Sequence, residues 1–341
     1  MRNHLRTTLV VVLAIALFAW FLRGVNLAEV GREMQRARMD LLALSFVFLG
    51  ITYVARVIRW RYLLDPLGPT RFRTAFRATI IGFAAIGLLP ARAGDVLRPY
   101  LLAKAEGLNP ASAFATVVME RVIDLVTVLV LLACYVLALG GRETLPPRLL
   151  APVETSAAIA AVVALALLGL AWTLATHPER VARLVLRSDR VLPAKVAHAL
   201  SGLARTFSQG FAVAREARAL AFAMLWSFPV WIGIAGQAWL VARAFAIEMP
   251  FAGTFLLQSL LVIGVAMPTP GGIGGYHAMF RLGVTTFFGA PDDAAVGAAI
   301  VAHALSFIPV AVLGVAFMLQ DGMSLTGLHR LAGVARQEER A

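Results

Sequence analysis

Residues 267 to 277 read Met-Pro-Thr-Pro-Gly-Gly-Ile-Gly-Gly-Tyr-His, deep inside an apolar region that runs from residues 256–266 before it to 278–288 after it. Two prolines and four glycines within residues 268–275 cannot continue a helix. In hydrocarbon, broken backbone is tolerated only where it is buried in protein or lines a cavity. The stretch therefore marks a junction of two half-helices whose free N–H and C=O groups are available for something else. An earlier break reads Leu88-Leu89-Pro90-Ala91-Arg92-Ala93-Gly94-Asp95. Paired interrupted segments in the two halves of a membrane chain are the best sequence pointer to a transport site.

The chain around these breaks is an all-α polytopic membrane protein. It is 60% hydrophobic and 15% charged, with a mean hydropathy of +0.80. Several apolar runs reach the roughly 20 helical residues that cross a bilayer. Six full transmembrane helices are expected at about 5–22, 40–63, 110–139, 152–176, 219–245 and 292–320, plus two broken hairpins at 73–109 and 252–289. Residues 5–22 follow Arg2 and Arg6 as a signal peptide would, but no small-residue cleavage pattern comes after them, so they read as an uncleaved first span. The single cysteine, Cys134, excludes a disulfide framework and a cysteine-based metal site. The net charge of +12 reflects a cytoplasmic excess of Lys and Arg rather than nucleic-acid binding.

Residues 1–341 form a single membrane domain. A first unit spans 40–139 around the hairpin 73–109, and a second spans 219–320 around the hairpin 252–289. Between them, 178–218 is a basic cytoplasmic segment, with Val196, Leu200, Leu203, Phe207 and Phe211 spaced as on an amphipathic surface helix. With both termini cytoplasmic and each hairpin leaving on the side it entered, the cytoplasmic segments hold 22 basic residues against 8 on the other side. The two units then enter from opposite faces. Pro90 and Pro268 are 178 positions apart, and Pro110 and Pro291 are 181 apart. This pattern describes an inverted repeat; the plainer alternative makes each broken element two short spans.

The chemistry concentrates in the first unit. A charge near the bilayer centre costs roughly 2.5 kcal/mol or more, so it needs partners or water. Glu120 and Asp124 share a helix face, and Arg121 reaches Asp124 at i, i+3. One arginine between two carboxylates leaves a formal −1, which calls for a further cation, Arg92 or Arg98. Arg92, Gly94, Asp95 and Arg98 flank the first break, and guanidinium groups there can grip a phosphate. The competing reading is an internal salt-bridge network. Arg56 and Arg59 are accessory candidates whose ordinary fate, near a helix end, is to snorkel to lipid headgroups. Around the second break, Pro268, Pro270, Gly271, Gly272 and Gly274 either cradle an anion with backbone N–H groups or allow close helix packing. His277 and His303 are candidates for a polar contact or a proton relay. No hydrolase, metalloprotease, nucleotide-binding or paired-cysteine motif occurs, and no cofactor or metal is called for.

Taken together, Leu89-Pro90-x-Arg92-x-Gly94-Asp95 with Arg98, Glu120-Arg121-x-x-Asp124 and Pro268-x-Pro270-Gly271-Gly272-x-Gly274 resemble the flippase-like membrane domain of bacterial lysylphosphatidylglycerol synthases and its stand-alone relatives. The resemblance covers about 40–320. It implies a non-enzymatic lipid translocase in a bacterial cytoplasmic membrane, taking a phospholipid or polyprenyl-type lipid with an anionic or aminoacylated headgroup. It departs from the pattern at Tyr276 and His277, where a carboxylate is expected. It also lacks an aminoacyl-transferase domain, so the chain is not expected to make an aminoacyl lipid. Two other functions fit the sequence: an ion- or proton-coupled carrier of small solutes, and a non-transporting membrane partner of a lipid-modifying enzyme. A homo-oligomer fits each of them. The orientation has a direct test. A cysteine replacing Ala105 should react with a membrane-impermeant thiol reagent from the cytoplasmic side, and labelling only from outside would overturn the topology.

Overall fold

A computed structural model describes residues 26–88, 93–177, 216–267 and 269–322, with isolated positions 12, 21, 22, 179, 180 and 183. Most of the 5–22 span, Pro90, Arg92, Pro268 and nearly all of the 178–218 segment lie outside the described residues. Within them, every regular element is helical. The helices of ten residues or more are α1 (Leu27–Arg36), α2 (Met39–Leu64), α3 (Phe72–Leu88), α4 (Gly94–Glu106), α5 (Pro110–Ala138), α6 (Pro147–Thr176), α7 (Ala217–Ala244), α8 (Gly253–Ala266), α9 (Gly275–Phe288) and α10 (Asp292–Gln320). Among the described residues, five stretches are long and apolar enough to cross a membrane: Met39–Leu67, Pro110–Ala138, Pro147–Leu170, Arg218–Ala244 and Asp292–Gln320. They match five of the six expected spans.

Local sequence explains the element starts. Asn26 Oδ1 accepts from the Ala28 and Glu29 amides to open α1. Asn109 Oδ1 accepts from Ser112 N at 3.0 Å with Pro110 in the first turn of α5, the cap-and-proline start that the sequence predicts. Large apolar side chains such as Phe46, Val47 and Ile51 on α2, or Val162 and Leu165 on α6, remain exposed. That is the surface a lipid-facing helix presents, since lipid tails are as apolar as leucine.

The long pair α2 and α7 runs antiparallel along its whole length. Arg38 N donates to Ala244 O at one end, and Tyr62 stacks on Phe222 at 5.2 Å towards the other. α3 and α4 fold back on each other, and α8 and α9 do the same. Each hairpin is closed by a glycine pair. A Cβ on Gly94 would stand 1.9 Å from Gly82 O, and one on Gly275 would stand 2.2 Å from Gly264 O. The pairs are displaced by 181 and 182 positions, close to the spacing of the prolines.

The hairpins start from opposite ends of the bundle. Arg77, near the start of α3, bonds Gln320 and Asp321 at the end of α10. Trp239 Nε1, near the end of α7, donates to Met249 O just before α8. Their tips meet: a Cβ on Gly271 would lie 3.6 Å from the Gly87 Cα. Helix contacts also correspond between the halves. α4 packs on α5 as α9 packs on α10, α2 on α5 as α7 on α10, and α10 on α3 as α5 on α8.

A side chain at either hairpin seam has nowhere to go, and overpacking of this kind costs about 1–3 kcal/mol. Gly94→Ala and Gly275→Ala should each lower the thermal unfolding midpoint in detergent. Gly50→Ala, where a Cβ meets nothing within 4 Å, should not. Equal midpoints for all three would remove the seams as a constraint.

Candidate functional site

The site is assembled where α2, α4 and α5 converge beside α7. Arg56 and Arg59 lie at i, i+3 on the buried face of α2; Glu120 and Asp124 lie at i, i+4 on α5, where Asp124 falls near the middle of the helix. Glu120 has no exposed surface. Its carboxylate lies 3.0 Å from Arg59 Nη2, 3.4 Å from Arg56 Nη1 and 3.4 Å from Arg121 Nη2. Arg98 Nη1 stands 3.1 Å from each of its two oxygens.

Asp124 Oδ1 accepts from Arg59 Nη1 at 2.6 Å and from Trp231 Nε1 at 2.9 Å. Arg121 Nη1 approaches its other oxygen at 3.4 Å. Arg59 Nη1 also donates to Ser227 Oγ at 3.0 Å. The Arg98 guanidinium sits 3.8 Å above the Trp60 ring, and Trp60 Nε1 donates to Thr116 Oγ1 at 3.0 Å. Asp95 lies 3.8 Å from Arg121.

One sequence expectation changes here. Arg56 and Arg59 do not snorkel: they are 7% and 0% exposed, because their face of α2 turns towards α5 and α7 rather than lipid. The further cation that the sequence calls for is present, in Arg98, and the cluster exceeds it. Four guanidinium groups surround two buried carboxylates, an excess of two positive charges, or one with Asp95 counted. The expected arginine tie between the first hairpin and α5 is present, through Arg98; Arg92 lies outside the described residues. Arg98 spends its guanidinium on Glu120 and Trp60, and Gly94 is a close-packing position.

Beside the cluster is a cavity of about 410 Å³ among α2, α3, α5, α7, α8, α9 and α10, within the range of small-ligand sites. Arg56, Arg121 and Asp124 line it together with apolar residues such as Phe83, Leu125 and Val262. Gln237, Gln258, Tyr276 and Ser306 add neutral polar groups. Gln258 Nε2 is held by Trp231 O at 3.0 Å. Trp231, Ser227, Gln237 and Gln258 were not singled out from sequence; an uncharged amide in an apolar helix is the signal that points to them.

The second break is a tight turn. Gly271, Gly272 and Gly274 have φ of +61°, +71° and +86°, a region that side chains disfavour. Two of its amides are bonded locally: Gly272 N donates to Thr269 O and Gly274 N to His277 Nδ1 at 3.3 Å. His303 Nε2 meets Gly271 O at 2.9 Å, and the two imidazole rings lie 4.5 Å apart. Pro270 begins the single 3₁₀ turn of this loop. Among the described residues no cluster of His, Cys, Asp and Glu could hold a metal.

The sequence matches the family described as the lysylphosphatidylglycerol synthase TM region over residues 8–314. The chain belongs to that family. It is also similar to the glycosyltransferase AglD of Haloferax volcanii, at 27% identity over 97% of this chain and 56% of that protein; the chain thus spans just over half the length of AglD. Two UPF0104 membrane proteins of Methanothermobacter thermautotrophicus are 24% and 23% identical, covering 90% and 95% of this chain and 90% and 98% of their own. Both breaks and the whole arginine–carboxylate cluster fall inside the part matched to the synthase TM family.

Removing one partner of a buried pair leaves an uncompensated charge and costs about 3–5 kcal/mol. Glu120→Gln should therefore lower stability more than Arg98→Gln, because it strands an already excessive positive charge. The double variant should be less harmful than the sum of the two, with a coupling of about 0.5–3 kcal/mol. Strict additivity in thermal or denaturant unfolding would dissolve the pair.

Proposed function

We propose that the protein is a lipid translocase of a bacterial cytoplasmic membrane, moving a phospholipid or polyprenyl-type lipid between leaflets by its headgroup. The observation that carries this reading is the cavity. Its walls are mostly apolar, its one charged patch is rich in guanidinium, and it lies between two hairpins that start from opposite ends of the bundle. A polar headgroup crossing the hydrocarbon needs such an enclosure, because a charge at the bilayer centre is costly without partners.

In this reading 73–109 and 252–289 are re-entrant hairpins of an inverted repeat, with the N- and C-termini cytoplasmic. The reading is supported by the corresponding contacts, the displacement of about 180 positions and the basic-residue asymmetry. The Arg98–Glu120 pair holds the first hairpin to α5. An anion arriving at the cluster competes for the arginines, weakens that tie and lets the hairpin move. A ligand shifts an equilibrium only by its differential affinity for the two states, and the hairpin tie supplies that difference.

A second reading, a proton-coupled carrier of small solutes, is favoured by one feature. His277 and His303 lie in tilted ring contact, 4.5 Å between centroids, beside the cavity residue Tyr276.

Reconstitution in vesicles separates the two. The translocase should speed leaflet exchange of an anionic headgroup-labelled lipid above protein-free vesicles, and Arg121→Gln should slow it about tenfold or more, the scale of a lost charge-assisted contact. No exchange above background, together with proton-dependent uptake of a water-soluble solute, would replace the translocase with the carrier.

A further inference from the structure

The six charges of the cluster do not have equal roles. Arg59 touches both buried carboxylates, at 3.0 and 2.6 Å, with its side chain fully enclosed. Arg98 closes on Glu120 at 3.1 Å and is 3% exposed. These two arginines balance Glu120 and Asp124 and tie α2, α4 and α5 together. Arg56 and Arg121 remain. Each reaches Glu120 only at 3.4 Å, and each lines the cavity. Each has a buried Nε with no hydrogen-bond partner, as Arg59 and Arg98 also have, but only Arg56, 7% exposed, and Arg121, with a side chain 40% exposed, present theirs beside the cavity. An unpartnered donor of a buried guanidinium is a costly arrangement that a ligand relieves.

Because one nitrogen of each stands 3.4 Å from the same Glu120 oxygen, those nitrogens can be no farther apart than twice that distance. One phosphate group spans such a gap with charge-assisted bonds of about 2.8 Å. Of the three carboxylates around Arg121, Asp95 is the farthest, at 3.8 Å against 3.4 Å for Glu120 and Asp124, and it is one-quarter exposed.

We propose that this site selects a net-negative phosphate headgroup and rejects an aminoacylated one, with Asp95 as the resident counterion that the phosphate displaces from Arg121. The inference rests on the translocase reading and narrows its substrate class. An ammonium group on the headgroup would enter a pocket already in excess of positive charge, where Asp124 is the one acid among the described lining residues and is engaged by Arg59 and Trp231. Like-charge juxtaposition of this kind is how a binding site excludes a wrong partner. Asp95 thereby becomes a specificity-determining position: it lowers the positive field of the empty site and raises the threshold for weak anions.

The test uses the full chain in detergent and short-chain lipids as probes, read as the concentration that half-saturates the thermal shift. Dihexanoyl phosphatidic acid and dihexanoyl phosphatidylglycerol should bind about tenfold or more tighter than dihexanoyl phosphatidylcholine or dihexanoyl lysylphosphatidylglycerol, as expected for an unfavourable charge contact. Arg121→Gln should abolish the preference, and the exposed-surface control Arg36→Gln should keep it. Asp95→Asn should tighten phosphatidic acid binding, a gain that a variant merely failing to fold cannot mimic.

Lysylphosphatidylglycerol binding as tightly as phosphatidylglycerol, or Asp95→Asn weakening the anions, would overturn the proposal. Inorganic phosphate competing at the same concentration as phosphatidic acid would move recognition to the free ion, keeping the charge preference but removing the lipid substrate. Absence of leaflet exchange for every lipid, with the binding order intact, would sink the translocase reading and leave the charge selectivity standing.

Discussion

One carboxylate holds the first half of the molecule together. Glu120 has no exposed surface and lies within 3.4 Å of four guanidinium groups brought by α2, α4 and α5 itself. Taking a carboxylate out of water costs several kcal/mol, and only close, hydrogen-bonded cations repay it. Each arginine in turn needs Glu120 or Asp124. None of the three helices can therefore take up its position alone. Two indoles complete the arrangement: Trp60 supports the Arg98 guanidinium from below and bonds Thr116, while Trp231 bonds Asp124 and so brings α7 to the same point. In a bilayer, where apolar burial drives little helix association, this polar junction is a strong source of register between helices.

What the sequence could convey depended on distance along the chain. The breaks, five of the spans, the Asn109–Pro110 start and the Arg121–Asp124 pair are local, and each was readable from a few residues. The need for a cation beyond Arg121 was also readable, because a charge left unpaired in apolar surroundings is costly wherever it lies. Which cations answer it was not. Arg56 and Arg59 approach α5 from more than sixty positions away, and their place near the end of a span suggested lipid headgroups. Only the packing of α7 against α2 shows that their face is enclosed. The roles of Ser227, Trp231 and Gln258 were hidden for the same reason, since their partners belong to other helices and none carries a charge that would demand one.

The second half departs from the first in chemistry more than in shape. At a displacement of 181 positions, Glu120, Arg121 and Asp124 fall on Val301, Ala302 and Leu305, and Arg98 falls on Met279. The proposed repeat thus keeps the helix contacts and the glycine seams but loses the charges at the positions of the buried cluster; the second hairpin instead pairs Arg281 with Asp292 at the start of α10. Arg56 falls on Gln237, and both line the cavity. A charged wall thus faces a neutral polar one across the same space.

That asymmetry bears on how a hairpin pair could work. The first hairpin is held by an ion pair that another anion can compete for, because guanidinium binds phosphate as readily as carboxylate. The second is held by glycine packing at its seam, by imidazole-to-backbone contacts at its turn and by the Arg281–Asp292 pair at the start of α10, and that pair does not line the cavity. If both hairpins presented exchangeable ion pairs to the cavity, an arriving headgroup would loosen both ends of it together and open a path for water and ions. With the charges that line the cavity confined to one half, the anion acts on one hairpin while the other stays closed, and the two ends of the cavity need not open at once.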